Sequence, residues 1–391
     1  MISHPGKHSF RVVAVNGVTQ LISAVAALQE HRKLVPGANL LSDVLAINVL
    51  ETQNLERAES MSRLIRQCAP LLHDWSAIVD FSTTTALANS NVDSPSEIFV
   101  NLLEVPENKR LFNHWPAAKR VLYGDGLGIN AALQDFLPDA TWSTCFRRLL
   151  SCFISSIQVP YSMPSKEPCD YGYYLINDPD STVQSTTTRL LEPRIYRHLF
   201  DRLSRNLQSS ALNQCLEHLP ANQTCDVLLM TNLFPPPISN QDAEVEGYSA
   251  LLTNQARQRP EAIVVKPHPR HHSTLLSKLE TALQPLYKTV FMIKDHDSAV
   301  LPFEILLLRA FQSGILNSNA CQVFATSTAA YSIPVVFGLP VQIGFGKKRC
   351  ASIFPDPAWR SSRIRHESKL RANVDSLLQR TQLEQSSSPL N

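Results

Sequence analysis

The sequence lacks a long apolar run, closely paired cysteines and an excess of charge of either sign. Without about 18 consecutive apolar residues, no helix is expected to cross a membrane. None of the eight cysteines forms a CxxC pair, which excludes zinc-knuckle and thioredoxin-like sites and suits reduced thiols in a cytoplasmic protein. The formal net charge of +2 gives no general attraction to nucleic acid. Any attraction to a phosphorylated ligand must therefore come from a local cluster.

Two further scarcities are informative. The first residues include no apolar stretch of the kind found in signal peptides, which again favours a cytoplasmic location. Glycine is rare, with 12 residues in 391, yet Gly124, Gly126 and Gly128 fall within one five-residue segment. Such clustering is noticeable in a chain with so little glycine, although it also arises by chance.

Short β-branched runs alternate with longer helical patterns along most of the chain. The runs predicted as strands are 11–15, 43–50, 77–81, 97–101, 120–123, 226–230, 262–265, 289–293, 322–325 and 335–337. The helical patterns are 19–30, 55–68, 244–257, 274–283, 302–308, 328–332 and 363–382, and 181–188 is predicted to be a polar loop. This alternation predicts an α/β fold with parallel sheets.

At 391 residues the chain is long enough for two domains. We expect two Rossmann-like domains facing across a cleft, with boundaries at 1–218 and 219–358. Residues 359–391 are predicted to form a closing helix and a frayed tail. Because parallel sheets bind ligands at the carboxyl ends of their strands, the loops that follow the strands are the places to look for chemistry.

A cation-rich turn follows the run 262–265. Pro267 and Pro269 restrict the backbone on both sides of His268, while Lys266 and Arg270 supply charge suited to a phosphate. The alternative is an ordinary turn whose histidine caps a neighbouring helix. The two cations and the position at a strand end favour phosphate binding.

A second anion-binding element follows the run 322–325. Ser327 and Thr328 come directly after that strand and begin a helix, where hydroxyl groups and backbone N–H groups can hold an anion. An ordinary Ser/Thr N-cap is the alternative. The element gains weight because it lies close in the chain order to the cationic turn, and together the two predict a nucleotide phosphate site.

Other polar residues are less decisive. Glu304 lies within an apolar run and needs a hydrogen-bond partner, which could be an arginine, a backbone amide or a ribose diol. His271 and His272 lack nearby carboxylates and are predicted to be solvated at a helix start rather than to bind a metal. The apolar helix predicted at 142–157 could touch a membrane surface, but packing against the protein is favoured.

Asp125 lies between Gly124 and Gly126, directly after the run 120–123. One interpretation is a turn residue, since Asp-Gly pairs are common in turns. The other is a general base that accepts a proton from an acceptor hydroxyl group. The sequence leaves both open.

Taken together, these motifs resemble those of bacterial sialyltransferases, most closely the α-2,8-polysialyltransferase-like family. His268-Pro269 is similar to the HP motif of that family, and Ser327-Thr328 is similar to its S-S/T motif. Gly124-Asp125-Gly126 resembles its D/E-D/E-G motif, with glycine in place of the first acid. The segment 15–21, which contains Asn16, resembles its first strand–loop–helix.

The resemblance implies a GT-B fold and an inverting transfer of sialic acid, or a related nonulosonic acid, from a CMP-activated donor to a glycan in cell-surface polysaccharide synthesis. It implies that neither a cofactor nor a metal ion is needed. By position, Asp125 would act as the base and His268 would assist the departing phosphate. The residues implied to contact the substrates are Lys266, Arg270, Glu304, Ser327, Thr328, Gly126 and Asn16.

Two other functions stay open. Kdo transferases and glycerol-phosphate polymerases also release CMP and share similar short motifs. A catalytically inactive GT-B protein that binds a glycan or a nucleotide would fit the altered acidic motif. Peripheral membrane association is a further open expectation, and no nucleic-acid partner is expected.

Overall fold

A computed structural model of the chain describes residues 10–49, 55–80, 94–103, 105–130, 169–177, 185–221, 223–233, 238–253, 260–268, 271 and 273–387. The described residues form two compact units, which divide between Leu207 and Gln208. Residues 208–218 therefore group with the second unit, whereas the sequence expectation put them in the first. Each unit is built around its own parallel sheet.

The first unit contains a seven-stranded sheet in the order β3-β2-β1-β4-β5-β7-β9, and every adjacent pair is parallel. Its strands are β1 (Phe10–Val15), β2 (Ser42–Ile47), β3 (Ala77–Asp80), β4 (Glu97–Val100), β5 (Lys119–Leu122), β7 (Cys169–Tyr174) and β9 (Ser185–Leu190), and β6 (Ile129–Asn130) pairs separately with β8 (Ile176–Asn177). The chain reverses its direction of winding between β1 and β4. A crevice at such a switch point is where open parallel sheets bind ligands.

Four helices accompany this sheet in the described residues, namely α1 (Val18–Leu34), α2 (Leu55–Leu72), α3 (Pro106–His114) and α4 (Pro193–Asn206). Helix α1 follows β1 after only two residues, and its apolar side chains are buried almost without exception. Helices α1, α2 and α4 pack against one another. The short β1–α1 connection therefore holds the start of α1 at the carboxyl edge of the sheet.

Buried charges lie at the opposite, amino edge of the same sheet. Arg11 Nε lies 2.9 Å from Asp43 Oδ1, and His73 Nε2 lies 2.6 Å from Asp43 Oδ2. His31 Nε2 lies 3.0 Å from Glu97 Oε1. Removing one member of such a cluster leaves an unpaired buried charge, so these residues stabilise the fold and stand apart from the predicted site.

The second unit contains a five-stranded parallel sheet in the order β12-β11-β10-β13-β14. Its strands are β10 (Cys225–Leu229), β11 (Ala262–Lys266), β12 (Thr289–Met292), β13 (Cys321–Ala325) and β14 (Val341–Ile343). The winding reverses between β10 and β13. The two predicted phosphate-binding elements follow β11 and β13, on either side of β10.

The helices described in the second unit are α5 (Ser210–His218), α6 (Gln241–Thr253), α7 (Ser273–Leu283), α8 (His296–Val300), α9 (Phe303–Gln312), α10 (Ser332–Phe337), α11 (Lys347–Ile353) and α12 (Pro357–Ser387). Helix α5 packs on α8 and α9, which explains why 208–218 belong here. Helix α12 packs on α10, α11 and β14. It is therefore part of the second unit and extends well beyond the predicted 363–382.

Two sequence predictions of local structure are wrong. The run 335–337 was expected to be a strand, but it forms the end of α10, which stops at Gly338 with φ of 67°. The segment 181–188 was expected to be a loop, but 185–188 lie in β9. Strand β9 is a largely exposed edge strand rich in threonine, whose branched side chains favour strands despite their polarity.

The α/β architecture with two Rossmann-like units is confirmed. No helix in the described part of the chain is long and apolar enough to cross a membrane. The apolar helix predicted at 142–157 lies outside the described residues.

Candidate functional site

Asp125 lies in the loop after β5, at the carboxyl edge of the first-unit sheet. Its carboxylate oxygen Oδ1 accepts hydrogen bonds from Asn101 Nδ2 at 2.9 Å and from Gln20 Nε2 at 3.3 Å. Asn101 directly follows β4, and Gln20 lies in the first turn of α1, so neighbouring elements hold this carboxylate from two sides. No hydrogen bond from a described residue reaches Oδ2.

The backbone around Asp125 forms a tight turn that requires glycine. Asp125 and Ile129 exchange backbone hydrogen bonds of 3.0 and 2.9 Å. Gly124 has φ of 73°, and a Cβ atom there would lie 2.7 Å from the carbonyl carbon of Gly128. Only glycine avoids both the left-handed strain and this close approach. The cluster of glycines noted in the sequence therefore fixes the position of Asp125.

The other two residues predicted for the first unit lie at the same edge of the sheet. Asn16 occupies the bend between β1 and α1, where its Oδ1 is buried and has no hydrogen-bond partner among the described residues. The carbonyl group of Gly126 accepts a 2.8 Å hydrogen bond from Ser23 Oγ of α1. This bond ties the Asp125 loop to α1, while the described contacts do not join Asn16 directly to Asp125.

Sequence reasoning missed the amides that hold Asp125. Asn108 Nδ2 donates to Asn101 Oδ1 at 3.2 Å and to the carbonyl group of Leu102 at 2.6 Å, so Asn101 is itself fixed. A signal was present, because Asn101 ends a run that was predicted to be a strand. A polar residue at the carboxyl end of a parallel strand is expected near a ligand.

In the second unit, the turn after β11 folds back on itself. His271 Nδ1 accepts a 3.1 Å hydrogen bond from the backbone N–H of His268, and His271 Nε2 lies 2.8 Å from the carbonyl oxygen of Thr231. Both residues are half-buried. The expectation that His271 is solvated at a helix start is therefore wrong, because both of its ring nitrogens are engaged within the protein.

Ser327 and Thr328 directly follow β13 and Thr326, and they begin a short 3₁₀ helix, Thr328–Tyr331. Ser327 is the N-cap residue, but its side chain makes no capping hydrogen bond. Both side chains are half-buried. The hydroxyl group of Ser327 therefore makes no capping hydrogen bond and can donate to an anion. Thr326 is fully buried, and its Oγ1 accepts a 3.1 Å hydrogen bond from Thr231 N.

A charged pair on α12, Arg363 and Glu367, holds this turn in place through hydrogen bonds. Arg363 Nη2 donates to the carbonyl oxygen of Thr326 at 2.7 Å, and Arg363 Nε lies 3.1 Å from Glu367 Oε1. Glu367 also accepts from the backbone N–H groups of Phe345 and Gly346, at 2.9 and 3.0 Å. The pair thus joins the loop after β14 to the residue that precedes Ser327. Neither charged residue was predicted from the sequence.

Lys266 is half-buried and Glu304 is buried inside the second unit. Lys266 Nζ donates to the carbonyl oxygens of Ser298 and Ala299 in α8, and burial lowers its pKa to about 8. Burial also raises the pKa of Glu304, against the opposing effects of a hydrogen bond from Ser332 and of the charge on Lys266. These contacts favour a structural role for Lys266 over direct contact with a phosphate. Arg270 lies outside the described residues.

Glu244 of α6 is a buried carboxyl group near the end of β10. Its Oε1 accepts a 3.3 Å hydrogen bond from the hydroxyl group of Tyr248, which lies 3.4 Å from the carbonyl oxygen of Thr231. Burial raises the pKa of Glu244 to about 7, although Tyr248 and the charge on Arg363 act in the opposite direction. Glu244, whose pKa is about 7, therefore lies close to the predicted phosphate site.

A cavity of about 400 Å³ lies beside the loop from α2 to β3, with His73, Trp75 and Arg202 among its lining residues. It contains none of the predicted site residues. No group of three or more His, Cys, Asp or Glu side chains in the described ranges is placed to hold a metal ion.

The chain matches the family model of the alpha-2,8-polysialyltransferases over residues 13–313. The matched range contains Asp125, His268 and Glu304 and ends before Ser327. No curated protein matches the chain.

Several solved structures are similar in overall fold at low identity. A UDP-GlcNAc 2-epimerase from Neisseria meningitidis bound to UDP-GlcNAc shares 10% identity, with 97% of this chain and 98% of that chain covered and a TM-score of 0.41. A protein from Listeria monocytogenes, provisionally named as a UDP-N-acetylglucosamine 2-epimerase, shares 11% identity with 96% and 91% covered and a TM-score of 0.43. The GT-B domain of a sialyltransferase from Photobacterium damselae shares 10% identity with 91% and 95% covered and a TM-score of 0.37.

Proposed function

The chain belongs to the alpha-2,8-polysialyltransferase family and is a glycosyltransferase, and we propose that it transfers sialic acid, or a related nonulosonic acid, from a CMP-activated donor to a hydroxyl group of a glycan. The observation that carries the proposal is Asp125. Two amides hold one oxygen of its carboxylate and leave the other available, at the edge of the sheet where parallel strands bind substrates. This is the arrangement that a general base needs.

The proposed reaction inverts the configuration at the anomeric carbon. Asp125 accepts the proton of the acceptor hydroxyl group while the hydroxyl oxygen forms the new bond to that carbon. The bond from the same carbon to the phosphate of CMP breaks, and its electron pair leaves with the phosphate. Charge therefore grows on the phosphate as the transition state is reached, and fixed donors at that position lower the barrier.

The second unit would supply those donors. His268 protonates or hydrogen-bonds to the departing phosphate, and the hydroxyl groups of Ser327 and Thr328 hold it. The support is that the turns carrying these residues follow β11 and β13 and are joined through Thr231. We propose that these donors suffice without a metal ion or a cofactor. Arg270 and Glu304 stay candidates for contacts with the phosphate and the ribose.

Replacement of Asp125 by asparagine tests the proposed base. Asn keeps the shape of the side chain but cannot accept the proton, so the rate of transfer should fall by about 10²- to 10⁴-fold while CMP still binds. The measurement is the initial rate with CMP-sialic acid and an oligosaccharide acceptor, with products identified by mass spectrometry. The matched control is Asp74→Asn, an exposed carboxylate at the opposite edge of the same sheet.

Three results of this experiment would count against the proposal. Full activity of Asp125→Asn would place the base elsewhere. Transfer only from a CMP-sugar whose sugar is not a nonulosonic acid would overturn the donor assignment. Binding of CMP without turnover of any CMP-sugar would identify a binding protein instead of an enzyme.

A further inference from the structure

His271 has its protonation state fixed by the two partners of its ring. Nδ1 accepts a hydrogen bond from a backbone N–H, at 3.1 Å, so it cannot itself carry a hydrogen. Nε2 lies 2.8 Å from a backbone carbonyl oxygen, which only accepts, so Nε2 must carry the hydrogen. The ring is therefore neutral, with its proton on Nε2. This assignment follows from the partners alone, because neither of them can exchange the roles of donor and acceptor.

The ring of His271 spans the space between the His268 turn and the end of β10. One of its bonds holds the backbone N–H of His268, and a second, backbone bond of 3.0 Å joins His271 N to His268 O. Pro267 already restricts the backbone before His268. The direction in which the His268 side chain leaves the turn is thus set by contacts on both sides of the residue.

The same contacts join the histidine turn to the serine–threonine turn. Thr231 accepts from His271 through its carbonyl oxygen and donates through its N–H to Thr326 Oγ1 at 3.1 Å. Thr326 precedes Ser327 and is held by Arg363 through its carbonyl oxygen at 2.7 Å. An unbroken series of hydrogen bonds therefore runs from His268 through Thr231 to the residue before Ser327.

We propose that His271 is a positioning residue that sets the side chain of His268 relative to the Ser327–Thr328 turn. The proposal rests on the function proposed above, in which His268 and this turn act on the same phosphate. His271 itself makes no contact with the substrate. Its effect is to keep two groups of donors in one fixed frame, and a shift of the order of 1 Å between such groups can cost about 10²-fold in rate.

The test compares two replacements that differ in a single hydrogen bond. His271→Asn places an amide oxygen close to the position of Nδ1, so it can still accept from the N–H of His268, whereas His271→Ala loses both bonds. Both replacements lose the bond to Thr231, and the thermal midpoint of the alanine variant should fall somewhat further because it also loses the bond to His268. At a temperature well below both midpoints, we expect the alanine variant to lose about 10- to 100-fold in kcat and the asparagine variant to lose less, because it keeps the bond to His268 and lacks only the bond to Thr231.

The matched control is His218→Ala. His218 lies at the exposed end of α5 in the same unit, and its Nδ1 lies 2.7 Å from the carbonyl oxygen of Gln214. Its removal should leave kcat unchanged. Equal kcat values for the alanine and asparagine variants, whether high or low, would overturn the positioning role.

A readout independent of activity separates this proposal from the proposed function. In the substrate-free protein, ¹⁵N-detected spectra of labelled histidines should show His271 with its hydrogen on Nε2 near neutral pH. The ring signals of His268 should shift in His271→Ala more than in His271→Asn. A hydrogen on Nδ1, or an unchanged His268 in the alanine variant, would overturn the inference. Failure of the parent protein to use any CMP-sugar would instead overturn the proposed function alone.

Discussion

At the scale of single residues, the position of Asp125 depends on glycine as much as on hydrogen bonds. The amides of Asn101 and Gln20 orient the carboxylate, but the turn that carries it closes only because Gly124 has φ of 73° and no Cβ. The Gly124-Asp125-Gly126 motif therefore depends on the backbone conformation of Gly124 as well as on the carboxylate of Asp125. A glycine in place of the first acid of the D/E-D/E-G motif is compatible with a functional second acid, since the turn itself needs this glycine.

The contribution of the close approach at Gly124 can be separated from backbone strain. Gly37 has φ of 77° and no atom within 4 Å of the position that a Cβ would take, whereas a Cβ on Gly124 would lie 2.7 Å from a backbone atom. We expect Gly37→Ala to cost about 1 to 2 kcal/mol from left-handed strain alone, without loss of transfer. Gly124→Ala should cost clearly more and should abolish most of the transfer.

Thermal unfolding and initial rates check this pair of variants. The informative quantity is the difference between them, because both carry the strain of a positive φ and only one meets a clash. If the two alanine variants have equal midpoints and equal rates, the tight turn is not what positions Asp125.

At the scale of helices and strands, the sequence predicted most of what positions the site. The strands that precede Asp125, His268 and Ser327 all lie within a residue or two of their predicted ranges. The three predicted ranges are mostly apolar runs of four residues, which is the pattern expected for strands buried on both faces of a parallel sheet. Once such a strand is predicted, the position of the loop that follows it in the sequence is predicted as well.

The contacts between elements could not be predicted in the same way. Val335 and Val336 favour a strand locally, but they fall in α10, which packs on α12. The roles of His271 and Arg363 depend on Thr231 and Thr326, which lie far from them in sequence. Hydrogen bonds of this kind have no local pattern, so the supporting side chains emerged only from the structure.

Helix α6 gives the second unit a dependence on pH through Glu244. Its carboxyl group has a pKa of about 7 in the folded protein, raised by burial from the ordinary value of 4.5. Between these two values only the folded state keeps the proton, so stability falls as the pH rises from 4.5 and levels off above about 7. The full effect is about 3 kcal/mol.

Glu244→Gln removes this titration while keeping the size of the side chain. The thermal midpoint of the variant relative to the parent should therefore rise from pH 5 to about pH 7 and then level off. Glu246→Gln, at an exposed position on the same helix, should show no such trend. A constant difference between Glu244→Gln and the parent across this range would contradict the assignment.

At the scale of the whole molecule, the two units share one type of parallel sheet but carry different candidate functional residues. Each has a parallel sheet with a reversal of winding, between β1 and β4 in the first and between β10 and β13 in the second. The carboxylate proposed as the base belongs to the first, whereas the histidine and hydroxyl groups proposed for the phosphate belong to the second. Nucleotide binding should accordingly be a property of the second unit.

Binding of CMP therefore provides a test that does not require the acceptor. A ligand that binds only the folded protein stabilises it by about 2.7 kcal/mol at a concentration 100 times its Kd, so CMP should raise the thermal midpoint. His268→Ala should lose most of that shift, because His268 is proposed to contact the phosphate. Asp125→Asn and His218→Ala should keep it, since Asp125 is proposed to act on the acceptor hydroxyl group and His218 lies at the exposed end of α5.

A comparison of CMP with UDP tests which nucleotide the protein binds. UDP at the same concentration should give a much smaller shift than CMP, because the proposed donor carries a single phosphate attached to cytidine. A clear shift with UDP and none with CMP would overturn the donor assignment while leaving the fold and the family unaffected. If CMP still raises the thermal midpoint of His268→Ala by the same amount, the phosphate does not bind at the turn after β11.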